Sequence, residues 1–202
     1  MMMSTKNRVY LASAVAMALT ASAASAAYEQ EVQNSYIAYY GRAADPDGLM
    51  FWGNIVAGYG GSLDQILDAF GNSPEFQERY GSLSDTDLVN GIYMQAFGRS
   101  AESAGLAFYV DLLNGTNNSG MNPDMRQSSL AKIAYDILSG AQNDDAAVIA
   151  NKQEVADYYT EQTEALCSRY GMDEVDDAVA VMNLVGVAAS TVDDGKTAAL
   201  QQ

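Results

Sequence analysis

The chain has 202 residues, 26 of them acidic against ten basic, and a formal net charge of −16. Such acidity repels phosphate backbones and anionic membrane surfaces, so nucleic acid is not an expected partner. With no histidine and one cysteine, the chain has no Ser-His or Cys-His nucleophile, no intrachain disulfide and a poor zinc set, and Cys167 is expected as a lone thiol.

Residues 1–26 read as a secretory signal peptide. Lys6 and Arg8 precede the apolar run Val9 to Leu19, and Ala24-Ser25-Ala26 fits a small-x-small cleavage site. The run is shorter than the ~20 residues that span a bilayer. The expectation is export to the periplasm, the cell surface or the extracellular space, with no transmembrane anchor. Residues 27–202 then form the domain.

Helix signals fill that domain. Val32, Tyr36, Ile37 and Tyr40 share one face of a helix that Gly41 ends. Asp45-Pro46 reads as an N-cap with Pro at the first helical position, followed by the stripe Leu49, Trp52, Ile55 and Val56. Ser62 and Gln65 are spaced as a capping box before Leu63, Ile66, Leu67 and Phe70. Ser73-Pro74-Glu75 starts a short helix, and Ser84 opens one that ends at Gly98. Asn143 to Gly171 predicts one long helix, or two with a bend. Asp173 caps the next segment, and Thr191 to Leu200 reads as a final short helix. No alternating β-branched pattern occurs, so the fold is expected to be all-α.

The first turn recurs. Gly41-Arg42 returns as Gly98-Arg99, an offset of 57, and at that offset Tyr36 matches Tyr93, Tyr40 matches Phe97, and Gly48-Leu49 matches Gly105-Leu106. Phe51 and Trp52 match Phe108 and Tyr109. The Asn-rich stretch Asn114 to Arg126 reads as a loop insertion in the second copy. Two helical repeat units are therefore expected, about 32–84 and 85–140, with the helices of 143–202 completing one bundle.

The pattern carried by Tyr36, Tyr40, Gly41, Arg42, Asp45, Gly48, Leu49, Phe51 and Trp52 resembles the DUF4214 domain. Ser62 to Ser84 resembles the linker between its two units, and Ala150 to Gln162 the helix that follows. The resemblance runs from about Val32 to Ala189. It implies a helical domain of exported bacterial surface proteins, S-layer-like and calcium-repeat proteins among them, distantly similar to phycobilisome linker domains. It implies no settled activity. The second unit departs from the pattern with Glu102-Ser103 in place of Asp-Pro and with the Asn-rich insertion.

Candidate binding residues follow from side-chain chemistry. Asp45 and Asp47 offer hard oxygens to calcium, but an EF-hand loop begun at Asp45 meets Met50 where Gly is needed and Val56 where Glu is needed. Only a looser calcium site stays open there, and no other cofactor is expected. Arg42 and Arg99 can bind a sugar, phosphate or carboxylate. They can equally serve the fold, offsetting a helix C-terminus and pairing with a nearby carboxylate such as Asp45. Tyr109, Tyr158 and Tyr159 suit stacking on a sugar or protein contact, and Asn114, Asn117 and Asn118 can bind hydroxyls. The expected function is non-catalytic binding of a surface polysaccharide or a cell-surface protein. A self-associating assembly module, and hence a homo-oligomer, is the alternative. A carboxylate-based glycan hydrolase is the third reading.

Overall fold

The computed structural model describes residues 28–114, 132–165 and 172–201. The signal-peptide residues, Asn117, Asn118 and Cys167 lie outside that description. All described regular structure is helical, as expected. In chain order the helices are α1 (Glu29–Tyr40), α2 (Pro46–Gly58), α3 (Asp64–Gly71), α4 (Pro74–Tyr80), α5 (Asp85–Phe97), α6 (Ser103–Asn114), α7 (132–139), α8 (Asp144–Ala165), α9 (Met172–Asn183) and α10 (Ser190–Ala199).

Local chemistry explains most of the boundaries. Asp45, Ser73 and Ser84 each accept a backbone N–H of the first turn, from Gly48, Phe76 and Asp87, which satisfies a donor the helix cannot. Gly41 and Gly98 end α1 and α5 in the left-handed region, with φ of 65° and 72°. Two expectations fail. Leu63, not Ser62, precedes α3 and supplies no side-chain cap. Ser62 Oγ instead accepts Asp64 N–H at 3.3 Å, one residue too early for a capping box. The helix expected after Asp173 begins at Met172, which places Asp173 inside it.

α1 is the centre of the molecule. It packs against α2, α3, α4, α5 and α8. The sequence shows one apolar stripe, yet Gln33, Ser35, Ala38 and Tyr39 are buried as well. The polar pair is tolerated because its bonds are met: Ser35 Oγ donates to Glu31 O at 2.8 Å, and Gln33 joins the network described below. Phe70 of α3 gathers Tyr36, Tyr39, Tyr40 and Trp52 at ring-centroid distances of 4.9, 5.8, 4.7 and 5.3 Å. Such tilted and edge-on pairs add attraction beyond buried area. Trp52, expected in the core, is only half-buried against it, because α2 lies at the surface and its ring reaches inward to Phe70.

α8 is one unbroken helix over 22 residues. It touches α1, α2 and α5 as well as α9 and α10, so it closes both units at once. No helix among the described residues is long and apolar enough to cross a membrane.

Candidate functional site

The two glycine turns build the same arrangement twice. After Gly41 the Arg42 guanidinium lies 5.1 Å from the ring centroids of both Tyr36 and Tyr40. After Gly98 the Arg99 guanidinium lies 5.4 Å from Tyr93 and 5.8 Å from Phe97. Stacking on an aromatic face suits a planar cation. Each arginine donates one bond to the next carbonyl, Arg42 Nη1 to Ala43 O and Arg99 Nη1 to Ser100 O. Each then takes a carboxylate in a two-pronged pair. Arg42 meets Glu75 with Nε and Nη2 both at 3.2 Å. Arg99 meets Asp145, with Nε at 2.9 Å and Nη2 on the second oxygen. Glu75 and Asp145 are each the second residue of a helix, α4 and α8. The repeat therefore reaches past Gly140 into α8, beyond the boundary expected from sequence.

The Asp45 partner suggested for Arg42 by the sequence is not the one it takes, because the Asp45 carboxylate is turned to its own helix and accepts Gly48 N–H at 2.7 Å. Nor does Arg42 hold the last carbonyls of α1. Gln95 Nε2 donates to Ile37 O and Ala38 O, and Arg79 Nη1 donates to Tyr40 O. In the second unit Lys152 of α8 does the comparable work, donating to Gln95 O of α5 at 2.6 Å. Sequence patterns pointed to none of Gln33, Gln95, Lys152, Glu75 or Asp145. Polar residues on an apolar stripe were the available signal.

Lys152 is 3% exposed, and burial pushes its amine down to about 8. An unfolded chain holds that proton to higher pH, so stability rises as pH climbs from 8 towards the ordinary lysine range. The gain between pH 7 and 9.5 is about 2 kcal/mol. Burial raises Tyr36, Tyr39, Tyr40 and Tyr109 above the usual phenol value, which reverses the trend at still higher pH. Urea denaturation should show this rise for the wild type. Lys152→Met should flatten it and be the more stable chain at pH 7, since an apolar side chain there carries no charge to desolvate.

The units differ in openness. Arg42 is 7% exposed, whereas the Arg99 side chain is 36% exposed and pairs with Glu102 as well, at 2.6 Å. That bond holds the Glu102 carboxyl below its ordinary range. Around Arg99 lies an open cleft of about 570 Å³ lined by Tyr93, Glu102, Gly140, Gln142, Asn143, Asp144 and Asp145. Gln142, Asn143 and Asp144 are exposed, and their side chains make no hydrogen bond among the described residues. Asn143 has φ of 52°, a conformation that asparagine tolerates better than most residues.

Of the candidate residues, Arg99 and Tyr109 share Tyr93 as a neighbour: Arg99 lies over its ring, and Tyr109, which does not line the cleft, packs on it at 6.3 Å between centroids while its hydroxyl donates to Asp136 O at 3.3 Å. Arg42, Asp45 and the exposed Asp47 belong to the other corner. Asn114 is exposed and donates to Val110 O at the end of α6. Tyr158 and Tyr159 do not form one surface. Consecutive helical residues point about 100° apart; Tyr159 is buried in the core, while Tyr158 is half-buried with Lys196 5.6 Å from its ring centroid. Among the described residues, no group of three or more acidic or cysteine side chains is placed to hold a metal ion.

The turn with its arginine clamp is thus a structural unit as well as the wall of a cleft. Residues 67–122, which include the Gly98-Arg99 turn, match the family model described as "Domain of unknown function (DUF4214)". That segment is similar to DUF4214. The DUF4214 match covers part of the wider stretch that resembles the family, leaves out the Gly41-Arg42 turn, and carries no described activity. No curated protein and no solved structure gives a significant match.

Proposed function

We propose that the protein is an exported, non-catalytic binding module that contacts hydroxyl-rich polysaccharide at the cell surface or in the extracellular matrix. One observation carries this reading: the open cleft at Arg99 presents unspent amide and carboxylate groups beside a fixed guanidinium. Sugar hydroxyls donate and accept at once, so they suit a wall that mixes Gln142, Asn143 and Asp144 with Arg99 and Glu102. A fixed cation is not offered to an anion here, because Asp145 and Glu102 already occupy it.

Isothermal calorimetry with purified surface polysaccharides tests the proposal. Asn143→Gly combined with Asp144→Ala removes two uncommitted groups and permits the same backbone at Asn143. The double variant should bind at least about tenfold more weakly, the loss of roughly 1.4 kcal/mol, with an unchanged melting temperature. Wild-type protein that binds no polysaccharide from its own envelope would end the proposal.

A further inference from the structure

Each unit also carries an amide clamp. Gln33 Oε1 of α1 accepts Ala44 N–H at 2.7 Å, and Asn90 Oδ1 of α5 accepts Ala101 N–H at 3.1 Å. Both members of each pair sit at the same repeat offset. On the first unit, α8 lies over this corner. Gln33 Nε2 donates to Thr160 Oγ1 at 3.1 Å and to Asp157 Oδ1 at 3.3 Å. Thr160 Oγ1 donates to Ala44 O at 2.6 Å. Gln33 and Ala44 are fully buried as a result.

The second unit presents the same corner without a helix on it among the described residues. Asn90 and Ala101 are partly exposed, and neither Asn90 Nδ2 nor Ala101 O has a hydrogen-bond partner there. The seat is a donor and an acceptor held in the geometry that already receives an Asp-x-x-Thr helix elsewhere in the chain. That spacing occurs once more, at Asp194 and Thr197 of α10. Both are exposed, and their side chains are unpartnered among the described residues. In the same register Leu200 stands where α8 has the buried Thr163, and it is 62% exposed.

We propose that α10 of a second copy of this chain seats on the second-unit corner, with Thr197 donating to Ala101 O and Asp194 accepting from Asn90 Nδ2. The two faces are different surfaces of one molecule, so the contact is head-to-tail and propagates rather than closing as a symmetric dimer. Asp87 and Glu102 flank the seat in sequence, and both copies are strongly acidic, so screening by salt strengthens the assembly.

Light scattering of the full chain across concentration tests this. Wild-type mass should climb past that of a dimer, and further at higher ionic strength. Asn90→Asp keeps the oxygen that holds Ala101, removes the donor and sets a charge against Asp194; this variant should be monomeric. Asp194→Ala with Thr197→Val changes only exposed side chains of α10 and should also be monomeric. An equimolar mixture of the two variants retains one intact seat and one intact helix, so it should give dimers and nothing larger. A wild-type monomer up to about 1 mM, growth that survives either variant, or a mixture that stays monomeric would each overturn the proposal.

Discussion

Gly41→Val is expected to lower folding stability by about 3–5 kcal/mol, while Gly98→Val costs only about 1–2 kcal/mol. Both glycines sit in the left-handed region, so both valines are strained. The difference lies in what a side chain would meet. A Cβ on Gly41 falls 2.7 Å from Gln95 Cγ, whereas one on Gly98 meets nothing within 4 Å. Gln95 cannot yield cheaply. Its amide caps Ile37 O and Ala38 O, and its oxygen accepts from Arg79 at 2.6 Å and Tyr80 at 2.9 Å. Displacing it frees the carbonyl end of α1, the most buried helix of the first unit, and uncouples it from α5. Urea denaturation of the two variants side by side checks the prediction; equal losses would show that Gln95 does not set the difference.

Gln33→Leu is the second large effect, expected to cost about 3 kcal/mol. Leucine fits a buried position by volume, but it leaves the Ala44 N–H without its acceptor in a place closed to water. An orphaned buried donor costs roughly 1–3 kcal/mol. Thr160 and Asp157 lose their shared partner at the same time. Loss should fall mainly on the seating of α8 over the first unit, which hydrogen exchange along α8 would report. Thr160→Val removes the bonds to Ala44 O and Gln33 Nε2 but leaves the Ala44 N–H on Gln33 Oε1, and should cost less than Gln33→Leu.

Much of the fold was legible in the sequence. Asp45, Ser73 and Ser84 cap the helices they were expected to cap, and Gly41 and Gly98 end theirs. The repeat of the glycine-arginine turn extends to atomic detail in the cation stacking and in the carbonyl bonds of Arg42 and Arg99. The site was legible only in part. Arg99 and Tyr109 were singled out, but Asn143 and Asp144 read only as the start of a long helix, and Gln142 was not singled out. They matter because α8 carries them to the second turn, and no local pattern announces that meeting. Tyr158 and Tyr159 illustrate the opposite error: neighbours in sequence look like one feature, and the helical rotation between them sends one ring into the core.

The sequence by itself determined that this chain is helical, where most helices begin and end, and that one turn is used twice. Those properties rest on caps, left-handed glycines and a 3.6-residue period, all settled within a few residues. The tertiary structure decided which carboxylates hold the two arginines, since Glu75 lies 33 residues beyond Arg42 and Asp145 lies 46 beyond Arg99. It also decided that one clamp is buried while the other opens onto a cleft, and that α8 covers one amide corner while its twin has no helix over it among the described residues. Which segments meet depends on how helices distant in the chain pack together, and that is a property of the whole core rather than of any stretch within it.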